Sequence, residues 1–127
     1  MRFLTFVLLS SFVLVAFDAL GSWASIAVPF PYMYGLPVSV LLYVGLSFAA
    51  ARRFGFWRGV LLGASLGFVD ATAGWAVSWA IGPGRVPAEQ FGAGIWAFTL
   101  AMVVGLGAAF GIIGSSINVL LLKSRAA

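Results

Sequence analysis

Apolar residues along the chain form four long runs, which are separated by short stretches that contain proline, glycine or arginine. A helix needs about 20 apolar residues to cross a hydrocarbon core of about 30 Å. The runs therefore predict membrane-spanning helices over about 3–27, 36–51, 57–81 and 91–122. The second is short unless the turn before it, 29–37, contributes. The sequence predicts an all-α integral membrane protein with four transmembrane helices.

The stretches between the runs predict where the helices begin and end. Three prolines in 29–37 prevent this turn from being helical throughout. Pro87 and Glu89 precede the last run. Proline is tolerated in the first turn of a helix, and an acid is favoured there by the helix dipole. We therefore expect the last helix to begin near Pro87.

Composition identifies the solvent in which the chain folds. Hydrophobic residues make up 63% and charged residues 8%, against about 45–50% and about 25% in soluble domains. So little charge indicates that the chain is surrounded by a lipid bilayer, which is its expected partner. The length indicates one domain over 1–127. The first run imitates a signal peptide, but it is long and resembles a later internal segment. We expect it to remain as a true span.

The basic residues predict an orientation. In a four-span arrangement Arg85 lies on one side, and six of the seven basic residues lie on the other, namely Arg2, Arg52, Arg53, Arg58, Lys123 and Arg125. The positive-inside rule then predicts cytoplasmic N and C termini. The excess of arginine over lysine suggests a bacterial inner membrane. These short clusters could not follow a phosphate backbone, so we expect no nucleic-acid partner.

The chain lacks the residues on which many kinds of chemistry depend. It has no cysteine and no histidine. This excludes disulfide bonds, thiolate nucleophiles, metal sites built from cysteine or histidine, and a histidine general base. Serine and threonine have no intramembrane base to activate them. We therefore expect a protein that is not an enzyme and that has no cofactor and no metal site.

Two aspartates stand in otherwise apolar runs and in similar surroundings. Asp18 lies in AFDALGSWA (16–24) and Asp70 in FVDATAGWA (68–76). The shared Asp-Ala and Trp-Ala pairs predict two tandem helical hairpins, about 1–52 and about 53–127, related as parallel repeats about an axis along the membrane normal. The alternative is chance similarity between helices rich in alanine and glycine.

Small residues share the helical faces of both aspartates, and in membranes they allow helix backbones to approach closely. The Asp18 face carries Ser11, Leu14, Val15, Gly21, Ser22 and Ser25, and the Asp70 face carries Gly63, Leu66, Gly67, Ala73, Gly74 and Val77. We expect both acids to face the bundle interior. We expect helix packing at the stripe formed by Gly59, Gly63 and Gly67 and at a seam on the last helix formed by Gly107 and Gly111.

Tryptophans predict the depth of the acids. We expect Trp23 and Trp75 to be anchors at the outer interface, which places each aspartate about 7–8 Å deeper. Trp57, Trp79 and Trp96 are expected to be anchors as well. Arg58, at the start of the third run, is twelve residues from Asp70, about 18 Å along a helix, so only Arg85 could approach the acids.

Three interpretations of the aspartates stay open. They could hydrogen-bond across helices as structural glue, form a proton or cation site within a transport pathway, or pair with a basic residue of another subunit. The duplication favours a small transporter or permease-like protein that assembles as a homo-oligomer or within a larger membrane complex. The alternative function is a non-catalytic subunit or assembly factor of such a complex.

Overall fold

The computed structural model describes residues 1–29, 31–90 and 92–127. Its α-helices are α1 (Phe3–Ala27), α2 (Leu36–Phe54), α3 (Phe56–Val69), α4 (Trp75–Ile81) and α5 (Ala93–Ala126). A π-helical turn, Asp70–Gly74, joins α3 to α4, and short 3-10 turns occupy Tyr32–Gly35 and Ala88–Gln90.

Four segments among the described residues are long and apolar enough to cross a membrane: Phe3–Ala27, Met33–Phe54, Phe56–Ile81 and Ala93–Ala126. This confirms the prediction of an all-helical chain with four candidate spans. The turn before α2 does lengthen the second span, which begins at Met33. Gly55, which has a φ of 102°, separates the second span from the third, because glycine tolerates a positive φ without steric cost.

The predicted start of the last helix near Pro87 is wrong. Ala88–Gln90 forms a separate 3-10 turn, in which the Gln90 N–H donates to the Pro87 carbonyl at 2.9 Å. Gly92 then adopts an extended backbone, with φ −117° and ψ 151°, and α5 begins only at Ala93. The extended residue interrupts the helical hydrogen bonding that Pro87 and Glu89 were expected to start.

Contacts place the basic residues other than Arg85 at one end of the bundle. The rings of Phe3 and Phe54 are 5.4 Å apart, and the Arg58 guanidinium lies 5.2 Å from the Phe3 ring. The Ser115 hydroxyl donates to the Phe56 carbonyl at 3.1 Å. Thus α1 and α3 begin, and α2 and α5 end, at what we call the basic end. The turns that contain Tyr32–Gly35 and Ala88–Gln90 lie at the opposite end, the turn end.

The tightest packing lies toward the basic end and depends on glycine. A Cβ added to Gly63 would collide with the Gly107 carbonyl oxygen and lie 2.8 Å from the Gly111 Cα. One on Gly59 would collide with the Ser115 hydroxyl, and one on Gly67 would lie 2.6 Å from the Val103 carbonyl oxygen. All five predicted packing glycines therefore lie where α3 and neighbouring helices come close, as small residues in membrane helices permit.

The two predicted hairpins are packed unequally. α3 packs along α5, and α2 packs against both, whereas α1 contacts mainly α4, α3 and the π turn.

The buried residues of α1 form one stripe, Ser10, Leu14, Asp18 and Ser22. A cluster of fully buried leucines, Leu14, Leu62 and Leu66, fills the interior next to Tyr43 and Ala50.

Candidate proton or cation site

The structure brings the two predicted aspartates together. The Asp18 and Asp70 carboxyl groups meet beside Gly74, since both would contact a side chain added to this glycine. The side chain of Asp18 is only 7% exposed, and that of Asp70 is half-buried. A Cβ added to Gly74 would collide with Asp18 Oδ2 and lie 3.0 Å from Asp70 Oδ1. Gly74 therefore provides the space in which the acids meet.

Tyr43 is a third member of the site, and it comes from α2. Its hydroxyl donates a hydrogen bond to Asp70 Oδ2 at 2.9 Å. The side chain is 4% exposed and lies beside the ring of Phe110, at 5.9 Å between centroids. Sequence analysis missed this residue. The sequence feature that could have identified it is a tyrosine well inside an apolar span, because a buried hydroxyl group needs a hydrogen-bond partner.

The π turn re-aims the chain immediately after Asp70. The Trp75 N–H donates to the Asp70 carbonyl, five residues back, and the Thr72 hydroxyl donates to the Phe68 carbonyl at 2.7 Å. The wider turn changes the faces expected from α-helical spacing. Ala73, predicted on the Asp70 face, is exposed, while Gly74 is buried against the acids. Single π turns inside α-helices are frequent at functional sites.

Hydrogen bonding around Asp18 is incomplete. Its Oδ2 atom is fully buried and has no donor among the described residues, and its close neighbour, the Asp70 carboxyl, is an acceptor when ionised. Two ionised carboxylates in contact repel each other. The contact therefore suits a proton or a cation held between the two groups.

Two cavities meet at the acid pair, and Asp70 lines both. The first, the α4–α5 cavity, has a volume of about 420 Å³ and is lined by residues that include Gly74, Trp75, Val86, Ile95, Trp96 and Val103. The second, the α1–α2 cavity, has a volume of about 680 Å³ and is lined by residues that include Phe17, Asp18, Leu20, Tyr34, Leu36 and Ser39. Both extend to the turns, so the pair lies between two spaces in the same half of the bundle.

Arg85, the one basic residue expected to approach the acids, is used elsewhere. Its Nε atom donates to the Trp79 carbonyl at 3.0 Å, and a terminal nitrogen donates to the Ala80 carbonyl at 3.3 Å. The guanidinium also lies 5.8 Å from the centroid of the Trp79 ring. Arg85 thus caps the C-terminal end of α4, as cations near helix ends do.

The tryptophans expected at the interfaces fall into two groups. Trp23 is 64% exposed, Trp57 is 76% exposed and Trp79 is 48% exposed, which suits side chains that contact lipid or headgroups. Trp75 is half-buried, and together with Trp96 it lines the α4–α5 cavity. Because the turn is π-helical, Trp75 stands about one turn beyond Asp70, on the same side of the span.

Comparison with known proteins gives no matching family model and no similar curated protein or solved structure. Within the described ranges, no group of three or more histidine, cysteine, aspartate or glutamate residues could hold a metal ion. The features that bear on function are therefore the acid pair, its tyrosine and the adjoining cavities.

Proposed function

We propose that this chain is a small transporter or permease-like membrane protein in which Asp18 and Asp70 together bind a proton or cation. The observation that carries the proposal is the meeting of the two carboxyl groups beside Gly74, where Asp70 lines two cavities. If the two aspartates only held the helices together by hydrogen bonds, their carboxyl groups would need to be close, but no cavities would be needed beside them. Acids inside membrane helices commonly mark ion or proton pathways.

The hydrogen bonds around the pair favour a proton as the bound species. The Tyr43 hydroxyl satisfies one oxygen of Asp70, while Asp18 Oδ2 has no donor in the described chain. A proton on either carboxyl would turn it into the missing donor. An inorganic cation would need several oxygen ligands, of which the two acids and Tyr43 supply only part.

Access to the pair is different on its two sides. Leu14, Leu62 and Leu66, all with 0% exposure, fill the interior on the side of the basic end, while both cavities extend to the turn end. A transport cycle would therefore need the packed side to open. This arrangement supports one access state of a transporter whose site lies between two gates.

The orientation, the repeat and the assembly belong to the same proposal. The gathering of six basic residues at the end where α1 begins and α5 ends supports cytoplasmic termini in a bacterial inner membrane. The two similar Asp-Ala segments support an ancestral tandem duplication. The proposed assembly would use one of the exposed apolar faces, such as the first turns of α5, where Phe98 is 70% exposed; such a face suits contact with lipid equally well.

Orientation can be tested with single cysteines, because the chain has none of its own. Gln90→Cys and Ser124→Cys introduce thiols at exposed positions near opposite ends of the bundle. In intact cells, a membrane-impermeant thiol reagent should label Gln90→Cys and not Ser124→Cys. The reverse labelling would overturn the proposed orientation.

The proposed site can be tested with a water-soluble carbodiimide, which modifies protonated carboxyl groups that it can reach. The chain has three acids, so Glu89, exposed near the turn end, is an internal control. We expect modification of the acid pair, detected by mass spectrometry, and its loss when Asp18→Asn and Asp70→Asn are combined. Labelling of Glu89 alone would contradict a water-accessible site.

The alternative subunit or assembly-factor function predicts a different outcome for the same substitutions. If the acids serve as structural glue, both Asn variants should be less stable in detergent, by about 0.6 kcal/mol for each hydrogen bond lost. If the acids form a transport site, both variants should fold and purify as the wild type does. Purification only together with a larger partner would favour the subunit function.

A further inference from the structure

The α4–α5 cavity has the size and the wall chemistry of a site for a small organic molecule. Its volume of about 420 Å³ lies within the range of about 300–1,000 Å³ that is typical of ligand pockets. Trp75 and Trp96 contribute indole rings, and Val86, Ile95 and Val103 contribute apolar surface. Asp70 is the acid among the residues that line it.

The combination of aromatic walls and one carboxylate selects the charge of the ligand. Aromatic faces attract cations through the ring quadrupole, and tryptophan does so most strongly. The Asp70 carboxylate adds an opposite charge that no basic side chain in the described part of the chain neutralises, since Arg85 is bound to the end of α4. A strongly hydrated inorganic ion would have to give up its hydration shell, and the apolar walls would not replace the lost interactions. An anion would be repelled by the Asp70 carboxylate.

We propose that the α4–α5 cavity binds a lipophilic organic cation, with Trp75 and Trp96 as its aromatic walls and Asp70 as its counter-charge. This inference rests on the proposed function, because Asp70 also belongs to the proton or cation pair. Asp70 can neutralise an organic cation only in its ionised form. Binding of the cation should therefore release a proton that the pair shares.

The neighbouring polar groups leave Asp70 as the dominant charge in the cavity. The Thr99 hydroxyl, which also lines the cavity, donates to the Ile95 carbonyl of its own helix at 2.9 Å. Tyr43 approaches Asp70 from α2 and is absent from the lining of this cavity. A cation in the cavity would therefore meet Asp70 from the side that Tyr43 leaves free.

Two ions of the same shape and opposite charge provide a direct test. Equilibrium dialysis of the purified protein in detergent should show saturable binding of tetraphenylphosphonium and none of tetraphenylborate. Asp70→Asn should abolish phosphonium binding. Trp96→Leu should weaken it about 2- to 30-fold, the equivalent of a cation–π contribution of about 0.5–2 kcal/mol. Trp57→Leu removes an exposed tryptophan outside the cavity and should leave binding unchanged.

Other outcomes would overturn the inference. Equal binding of both ions, or phosphonium binding that survives Asp70→Asn, would show partition into apolar surface only. Absence of phosphonium binding would also contradict it, and carbodiimide labelling of the pair would still decide the proposed function separately. In weakly buffered solution, wild-type protein should release protons as phosphonium binds, and Asp70→Asn should release none.

Discussion

The basic end and the turn end of this bundle are built from the same few helices but are packed in opposite ways. Toward the basic end, α2, α3 and α5 approach so closely that a Cβ on Gly59, Gly63 or Gly107 would overlap a neighbour. Toward the turn end, α4 contacts α1, and the first ten residues of α5 are almost all exposed. The acid pair lies where the first arrangement changes into the second.

The contrast shows how a short chain can combine a fixed half with an accessible half. Backbone contacts at glycines hold α3 against α5 as far as Gly67 and Val103. Beyond that level the π turn redirects the span, and the separation of α4 from α5 leaves the α4–α5 cavity. The acid pair therefore lies between close backbone packing on one side and the two cavities on the other.

Filling the closest contact in the packed half should have the largest effect. In Gly63→Ala the new methyl group meets the backbone of Gly107 and Gly111, and backbone cannot rotate away. Overpacking of this kind costs about 1–3 kcal/mol, measurable as a lower free energy of unfolding in mixed micelles. In Gly105→Ala, the matched control on α5, the methyl group meets nothing within 4 Å, and stability should not fall. Equal stability of the two variants would contradict the packing contrast.

Filling the space between the acids should affect the site more than the fold. The methyl group of Gly74→Ala would collide with the Asp18 carboxyl, a side-chain group that can rotate away. We expect a stability loss of about 1 kcal/mol, at the low end of overpacking, together with loss of coupling between the two carboxyl titrations. Gly94→Ala, in open space, is the control. Coupling that survives in Gly74→Ala would show that the acids do not depend on this gap.

Removing the tyrosine hydroxyl should lower stability by a similar amount while leaving the space between the acids unfilled. Tyr43→Phe deletes the 2.9 Å hydrogen bond to Asp70, worth about 0.5–1.5 kcal/mol. The test is a double-mutant cycle of unfolding free energies with Asp70→Asn: if the two side chains share an interaction, their effects on stability are non-additive, whatever the size of the effect of Asp70→Asn alone. Strictly additive losses would mean that Tyr43 does not support the acid pair.

The smallest effect is expected from a single hydroxyl at the basic end. Ser115→Ala removes the interhelical bond to the Phe56 carbonyl, which in membrane helices is worth about 0.6 kcal/mol. Ser124→Ala, whose hydroxyl donates within its own exposed helical turn, is the matched control. In the same micelles, the free energy of unfolding should be lower for Ser115→Ala than for Ser124→Ala. The opposite order would show that the Ser115 hydroxyl does not stabilise this packing.

The spans and the packing glycines could be predicted from the sequence, because bilayer thickness fixes helix length and small residues mark close contacts. The placement of Asp18 and Asp70 on interior faces followed from the same reasoning. The π turn could not be predicted, since its five-residue hydrogen bond leaves no distinct spacing in an apolar run. The error at Ala73 and the cavity position of Trp75 both follow from it. The role of Tyr43 could not be predicted either, because its bond to Asp70 joins residues 27 positions apart and depends on how α2 packs against the third span.

The most direct test of the acid pair is an infrared titration of carboxyl protonation in the purified protein. The chain has no histidine or cysteine and only three acidic side chains, so the carboxyl signals are few, and Glu89→Gln identifies one of them. Two carboxyls in contact should lose their protons in two separated steps, and either Asp18→Asn or Asp70→Asn should reduce these to one. If the aspartates instead titrate independently, and each single variant leaves the other acid unchanged, the pair is not a shared site.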